Sequence, residues 1–145
     1  MPGHLRQGGA WQAIGNMSLR VGGAWAQVQR AWVRQGGAWV QFFTYLTPPT
    51  GLSAVDVSWC EDLITPHYEI QVHWTPSDSG KSTIIYRDGS PIDSVGPGVD
   101  TYVDTGLSEG TAYDYQVSTF DSASGSESDL TAVYVGTTIS NVCGI

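Results

Sequence analysis

The chain has 145 residues, of which 41% are hydrophobic, 11% aromatic and only 14% charged. This length fits one ordinary domain, or one small domain with an appendage, and supplies enough apolar residues for a core. The composition excludes a coiled coil, a collagen-like chain and a charged disordered tail, and no run approaches the roughly 18 apolar residues of a membrane span. The first residues lack the usual pattern of a signal peptide, so we expect none.

Charge divides the chain into two parts. Residues 1–49 contain four arginines and no acid, a net charge of +4, whereas residues 50–145 hold all 14 acids against one lysine and one arginine, a net charge of −12. Such asymmetry indicates two segments with different roles, and the Pro48-Pro49 pair marks the boundary. We therefore predict three parts, which are a basic segment (1–47), a domain (48–140) and a C-terminal tail (141–145).

The basic segment consists of three copies of one 14-residue unit. The frame [LV]-R-[QV]-G-G-A-W begins at Leu5, Leu19 and Val33. Each Gly-Gly pair lies between short alternating runs and can adopt positive φ, so each pair is predicted to be a two-residue hairpin turn. Gly15-Asn16 and, less ideally, Gln29-Arg30 fall midway between these pairs and supply the opposite turns. The segment is therefore predicted to be an antiparallel β-meander of 14-residue repeats.

Counting outward from these turns places arginines opposite tryptophans on one face of the meander. A guanidinium group over an indole ring is favourable by about 0.5–1 kcal/mol at an exposed site. The opposite face carries aliphatic residues and one phenylalanine. A sheet this small cannot bury both faces, so the apolar face needs a second layer from the following domain, a second copy or another protein. The candidate surface, called here the Arg/Trp row, consists of Arg6, Trp11, Arg20, Trp25, Trp32, Arg34 and Trp39.

Three interpretations of the Arg/Trp row remain open. It is a structural ladder that stiffens an outer face, an assembly surface for which arginine and tryptophan are favoured anchors, or a platform on which a carbohydrate stacks. Nucleic acid is not an expected partner. Four arginines supply too few positive charges for a nucleic-acid-binding surface, and the chain has a pI near 4.4.

The second segment has the sequence pattern of a β-sandwich. Turn signals every 8–12 residues separate short alternating runs, and no run has a sustained helical period, which predicts an all-β fold. Asp88-Gly89 forms the centre of a predicted hairpin turn. The predicted strands are 53–59, 68–74, 82–87, 91–95, 101–103, 112–119 and 130–136.

Several motifs over residues 50–138 resemble the fibronectin type III family. The sequence HWTP at 73–76 resembles the family's second-strand tryptophan and proline turn, and IYRDG at 85–89 its third-strand hairpin. The most specific match is TYVDTGL at 101–107 followed by GTAY at 110–113, which is similar to the family's E-to-F corner. The resemblance implies an immunoglobulin-like sandwich in which Trp74 and Leu107 are core residues. It also implies that Tyr113 is the corner tyrosine, bonded to the upstream backbone.

The two cysteines allow two interpretations. In the implied sandwich topology, the loop after the first strand and the end of the last strand lie at the same pole, so a Cys60–Cys143 disulfide is geometrically feasible. Two free thiols in a reducing cytosol are the alternative. The long turn from Cys60 to Pro66 departs from the family pattern, and its Glu61-Asp62 pair is interpreted as part of an exposed acidic loop rather than a calcium site.

No set of residues in the sequence predicts catalysis. The three histidines are not spaced as metal ligands, and there is no Cys-x-x-Cys or His-x-x-x-His pair. The Gly-Gly pairs lack the following helix and the Lys-Ser/Thr of a phosphate-binding loop. We therefore expect a protein that is not an enzyme and that uses no metal and no cofactor.

The repeats resemble, in pattern, units that precede fibronectin-like modules in small virion proteins of tailed bacteriophages, especially minor tail proteins. This resemblance implies a structural protein on the exterior of the particle, with a tail as the leading location, made in the host cytoplasm. The repeats would dock to other virion proteins or to copies of the same chain as a homo-oligomer, and the sandwich would be displayed for host attachment. The alternatives are a capsid decoration protein and a module that binds host surface glycan through the tryptophans.

Overall fold

The computed structural model of the chain describes residues 4–7, 10–13, 18–21, 23–28 and 30–144. These residues form β-strands and their connections, so the predicted all-β class is confirmed. Within this part of the chain, no helix is long and apolar enough to cross a membrane.

Each 14-residue repeat forms one antiparallel hairpin, called here a ribbon. In the third ribbon Gly36 and Gly37 have φ values of 59° and 86°, the left-handed geometry of a type I′ turn. This turn fixes the cross-strand register, because it leaves two residues between the paired positions. The ribbons are β1 (His4–Gln7) with β2 (Ala10–Ala13), β3 (Ser18–Val21) with β4 (Ala24–Gln27), and β5 (Arg30–Gln35) with β6 (Ala38–Thr44).

Among the described residues, the three ribbons are separate two-stranded sheets, which corrects the predicted pairing of one ribbon with the next. Arg30, which was predicted to lie in a turn, is instead the first residue of β5 and pairs with Thr44, whereas Gln29 lies outside the described residues. Neither glutamine nor arginine readily takes the positive φ that a two-residue hairpin turn needs. The other predicted turn, Gly15-Asn16, lies outside the described residues.

The second segment, which carries all the acidic residues, forms a sandwich of two antiparallel sheets. This is the fibronectin type III-like architecture predicted from the sequence. One sheet has the order β13-β10-β7, and the other has the order β12-β11-β14, with both β15 and β16 paired to β14. A small separate hairpin, β8–β9, connects the two sheet strands β7 and β10. The strands are β7 (Thr50–Asp56), β8 (Trp59–Glu61), β9 (Thr65–His67), β10 (Ile70–Thr75), β11 (Ser82–Arg87), β12 (Ser90–Val95), β13 (Thr101–Asp104), β14 (Ala112–Asp121), β15 (Ser126–Glu127) and β16 (Tyr134–Thr137).

The core lies between the two sheets and follows the alternation of their strands. On β10 the inward residues Ile70, Val72 and Trp74 are buried, whereas His73 between them is exposed. Burial of one such large apolar side chain stabilises the fold by about 1.5–3 kcal/mol. The buried cluster is completed by Ile85, Leu107, Tyr115 and Val117.

The core residues implied by the family resemblance occupy the expected places. Trp74 and Leu107 are both buried in the cluster, and Tyr113 packs against it. The backbone N–H of Ser108 donates a hydrogen bond to the Tyr113 hydroxyl, with 2.9 Å between the two atoms. This contact is the bond to the upstream backbone expected of a corner tyrosine, and it holds the connection between β13 and β14.

The third ribbon joins the sandwich at one of its two poles. The carbonyl oxygen of Thr47 accepts hydrogen bonds from the hydroxyls of Ser77 and Thr119, at 2.5 and 2.8 Å. Leu46 and Pro49, on either side of this residue, are buried. We call this end of the sandwich the junction pole. β7 starts beside it and runs to the opposite end, the far pole.

Candidate docking surface

The third ribbon presents the predicted Arg/Trp face and the predicted aliphatic face on its two sides. Arg34 lies opposite Trp39, and Trp32 lies on the same side of the ribbon. Val33 lies opposite Val40 on the other side. The register derived from the Gly-Gly turn is therefore confirmed for this ribbon.

Large apolar side chains are exposed on both sides of the third ribbon. The exposed fractions are 71% for Trp39, 48% for Trp32, 48% for Val33 and 42% for Val40. The sandwich of the same chain therefore does not supply the second layer that the aliphatic side was expected to need. Full burial of an exposed side chain of this kind contributes about 1.5–3 kcal/mol, so burial of the exposed half of Val33 or Val40 would contribute about 1 kcal/mol to an interface.

The edges of the third ribbon form no sheet with another strand of the described residues. β5 and β6 pair only with each other among the described residues, so the outer edge of each strand leaves its backbone N–H and C=O groups outside any sheet. An isolated two-stranded ribbon is marginally stable in water, and an open strand edge is a template for pairing with another chain. Both the faces and the edges of this element therefore favour association.

The first two ribbons repeat the same register. Arg6 lies opposite Trp11 in the first ribbon, and Arg20 lies opposite Trp25 in the second. The predicted pairings between ribbons, Trp11 with Arg20 and Trp25 with Arg34, are absent because the ribbons are separate sheets. The side chains of Arg6, Trp11 and Trp25 lie outside the described part of the structure.

The predicted stack of guanidinium on indole is not present in the third ribbon, where Arg34 and Trp39 are both described. The cation–π contact of the described side chains is instead in the sandwich, where the Arg87 guanidinium lies 5.6 Å from the centre of the Tyr113 ring. Both Arg34 and Trp39 are exposed.

The base of the third ribbon borders a polar cleft at the junction pole. Arg30 and Thr44 on the ribbon face Asp78 and Lys81 of the sandwich across it. Lys81 pairs with Asp121 at 3.1 Å. Burial opposes ionisation of Asp121, but hydrogen bonds from Ser124 and Lys81 outweigh it and lower the pKa of this carboxyl group. The base of the ribbon therefore lies beside an ion pair that is internal to the sandwich.

A buried polar network that the sequence did not reveal crosses the sandwich. Asp104 on β13 accepts hydrogen bonds from Nη1 of Arg87 on β11, at 2.8 and 2.9 Å to its two oxygens. It also accepts one from the Tyr115 hydroxyl on β14 at 2.7 Å. Burial, and then the bond to Asp104, raise the pKa of Tyr115 far above its usual range. The polar atoms of these three side chains hydrogen-bond to one another, so the network joins the two sheets.

The structure joins Cys60 to Cys143 at the far pole by a disulfide. The alternative interpretation, two free thiols, is therefore wrong for this structure. The predicted exposed loop from Cys60 to Pro66 is the ordered hairpin β8–β9. Its ends are held by the stacked rings of Trp59 and His67, with centroids 4.2 Å apart.

Within the described residues, no three histidine, cysteine, aspartate or glutamate side chains are grouped so that they could hold a metal ion. The two acids that were predicted to lie in an exposed loop, Glu61 and Asp62, have different structural roles. Glu61 pairs with His67 at 3.1 Å, and Asp62 occupies the hairpin turn with φ of 52°.

No family model and no curated protein matches the chain. Among solved structures, it is similar to a β-1,2-glucanase from Parabacteroides distasonis, with a TM-score of 0.46, 22% identity and coverage of 70% of this chain and 15% of the glucanase. It is also similar to domains d3-d4 of the rat CD45 extracellular region, with a TM-score of 0.44, 16% identity and coverage of 75% of this chain and 63% of that one. Neither likeness bears on what this chain does.

Proposed function

We propose that this protein is a non-enzymatic structural component of a tailed-bacteriophage particle, with a tail protein as the leading assignment. Its N-terminal ribbons dock the subunit to other virion proteins or to copies of itself, and its sandwich is displayed on the particle exterior. The observation that carries the proposal is the exposure of large apolar side chains on both sides of the third ribbon, Trp32 and Trp39 on one and Val33 and Val40 on the other.

The arrangement of the two parts supports this assignment. The third ribbon is fixed to the junction pole through Thr47, so docking of the ribbon leaves the far pole pointing away. The far pole carries the Cys60–Cys143 disulfide, a feature that persists outside the reducing cytosol. A docking end and a displayed end are thus at opposite poles of the sandwich.

Incorporation into particles tests the proposal. Particles purified from a host culture that expresses the full chain are analysed by mass spectrometry and by gold labelling of the sandwich. We expect the wild-type chain in the particles and a more than tenfold lower content of the V33S/V40S variant. The matched control is V55S/V135S, which removes two equally exposed valines from the sandwich surface and should be incorporated normally. Absence of the wild-type chain from particles, or equal incorporation of both variants, would refute the proposal.

A glycan-binding module is a second candidate, favoured by the 71% exposure of Trp39. An indole this accessible can stack on a sugar ring and still leave the aliphatic side of the ribbon free for docking. The tryptophan emission of the full chain is followed while host surface polysaccharide is added, with a W39S variant as the control. A saturable shift that disappears in W39S supports the candidate, and an unchanged emission excludes it.

A further inference from the structure

The β8–β9 hairpin at the far pole exposes large apolar side chains of the sandwich. We call residues 59–67 the tip. Leu63 is 78% exposed, Ile64 69% and Trp59 46%. A domain that exposes large apolar side chains to water on one hairpin presents a surface suited to a protein partner.

The backbone of the tip is held in an unusual conformation. Asp62 and Leu63 have φ values of 52° and 63°. Aspartate tolerates this left-handed region, but a leucine there is destabilised by about 1–2 kcal/mol. Such strain persists only where the surroundings fix it, and it is frequent at binding surfaces.

Three contacts fix the tip. The Cys60–Cys143 disulfide ties β8 to the C-terminal residues, and the Glu61–His67 pair joins β8 to β9. The His67 ring also stacks on Trp59. The apolar residues at the turn are therefore presented by a preorganised element, which loses little conformational entropy on binding.

The charge and the apolar side chains of the tip indicate the chemistry of the surface that it binds. Two acids, Glu61 and Asp62, directly precede the exposed Leu63. Glu61 is paired with His67, so the exposed Asp62 supplies the negative charge next to Leu63. A complementary surface must be apolar and must carry a positive charge close to its apolar groups. The third ribbon has this composition, because exposed Arg34 lies between Trp32 and Trp39 on one face. The wider charge distribution agrees, since residues 1–49 carry +4 and residues 50–145 carry −12.

The positions of the tip and of the ribbon attachment favour a contact between copies over one within a chain. The ribbon is anchored through Leu46 and Thr47 at the junction pole, and the tip is at the far pole. The seven residues of β7, which separate the poles, span about 20 Å. The ribbon attachment and the tip of one chain are thus separated by the length of the sandwich, and a contact between the two surfaces is more readily made between copies.

We propose that the tip of one copy docks on the Arg34/Trp39 face of the third ribbon of the next copy, so that the protein assembles head to tail. This inference rests on the proposed docking role of the ribbons. The contact uses different surfaces on the two copies, so it is a heterologous interface, which produces a linear fibre or a closed ring. The free tip at the end of such a fibre is the surface that remains displayed.

A mixing experiment with the full, oxidised chain tests the proposal. The tip variant is L63N/I64T, in which asparagine accepts the left-handed backbone, and the ribbon variant is R34E/W39S. In sedimentation velocity we expect the wild-type chain to form a concentration-dependent series of oligomers, and each variant alone to associate at least tenfold more weakly. An equimolar mixture of the two variants should form heterodimers and stop there, because each contributes one intact surface. Higher salt should weaken both assemblies, since the contact joins opposite charges.

The outcomes separate this proposal from its alternatives. If the tip variant assembles like the wild-type chain, the copies meet through their ribbons and the head-to-tail contact is refuted. It is also refuted if the wild-type chain is monomeric at all concentrations, or if the variant mixture contains only monomers. V55S/V135S should assemble like the wild-type chain. None of these results depends on the particle content of the protein, so the proposed virion role is judged separately.

Discussion

Tyr115 and Asp104 lie on different sheets and are joined across the core by a hydrogen bond of 2.7 Å from the phenol to the carboxylate. Asp104 is only 4% exposed, and its carboxylate also forms an ion pair with Arg87. An ionised group taken this far out of water is tolerated only when it is paired and hydrogen-bonded. The network is therefore an element of the sandwich on which its stability depends.

Removal of the Asp104 charge should destabilise the sandwich strongly. D104N leaves the Arg87 guanidinium, whose side chain is about two-thirds buried, without its counter-charge, and we expect a loss of about 3 kcal/mol in the free energy of unfolding. Urea denaturation followed by circular dichroism measures it. D100N, at an exposed aspartate, is the matched control and should change stability by less than about 0.5 kcal/mol. Equal stability of the two variants would contradict this role of the network.

Stability should decline in the alkaline range partly through Tyr86. Burial, and then the hydrogen bond to Glu127, raise the pKa of Tyr86 to about 12, above the usual value near 10. The folded state retains this proton more tightly than the unfolded state, so the contribution is complete below pH 10 and is lost as the pH rises from 10 to 12. Denaturation at pH 9, 10.5 and 11.5 should show a steeper decline for the wild-type chain than for Y86F, and parallel declines would contradict the shift.

The disulfide should stabilise the whole domain because it closes a long loop. Cys60 and Cys143 are separated by 83 residues, and a cross-link over such a distance contributes about 2–4 kcal/mol. C60S/C143S should therefore unfold at a lower denaturant concentration, equal to that of the reduced wild-type chain. A reductant should have no effect on the variant. A wild-type midpoint that does not move on reduction would show that the cross-link does not constrain the unfolded chain.

Gly136 should be intolerant of even a methyl group. A Cβ at this position would lie 3.0 Å from the Ala54 Cβ and 3.2 Å from atoms of Ile70 and Tyr115. G136A should cost about 1–3 kcal/mol through overpacking of the core. G96A is the control, because nothing lies within 4 Å of a Cβ there, and it should be neutral or slightly stabilising. Thermal unfolding measures both, and unchanged stability of G136A would mean that the two sheets can separate to admit the methyl group.

Features set by local chemistry were predicted from the sequence. The Gly-Gly turn restricts the hairpin to one register, so the pairing of Arg34 with Trp39 follows by counting. The strand predicted over 82–87 is β11, because β-branched residues precede a strong Asp-Gly turn. The place of Tyr113 followed from the family resemblance and its spacing to the preceding glycines.

Features set by distant contacts were not predicted. The partners of Asp104 lie on two strands of the other sheet, and no local pattern specifies which charged residues meet across a core. The β8–β9 hairpin was missed because its turn uses Asp62 and Leu63 in place of the glycine that usually signals positive φ. The last strand begins at Tyr134 rather than 130, although Thr131 already bonds to Val117.

An electron cryomicroscopy map of the native particle, with this chain traced in it, tests the docking function most directly. We expect another polypeptide to cover Trp32 and Trp39 of the third ribbon and the sandwich to project from the particle. A map that leaves both faces of this ribbon in solvent, or that contains no density for the chain, would contradict it.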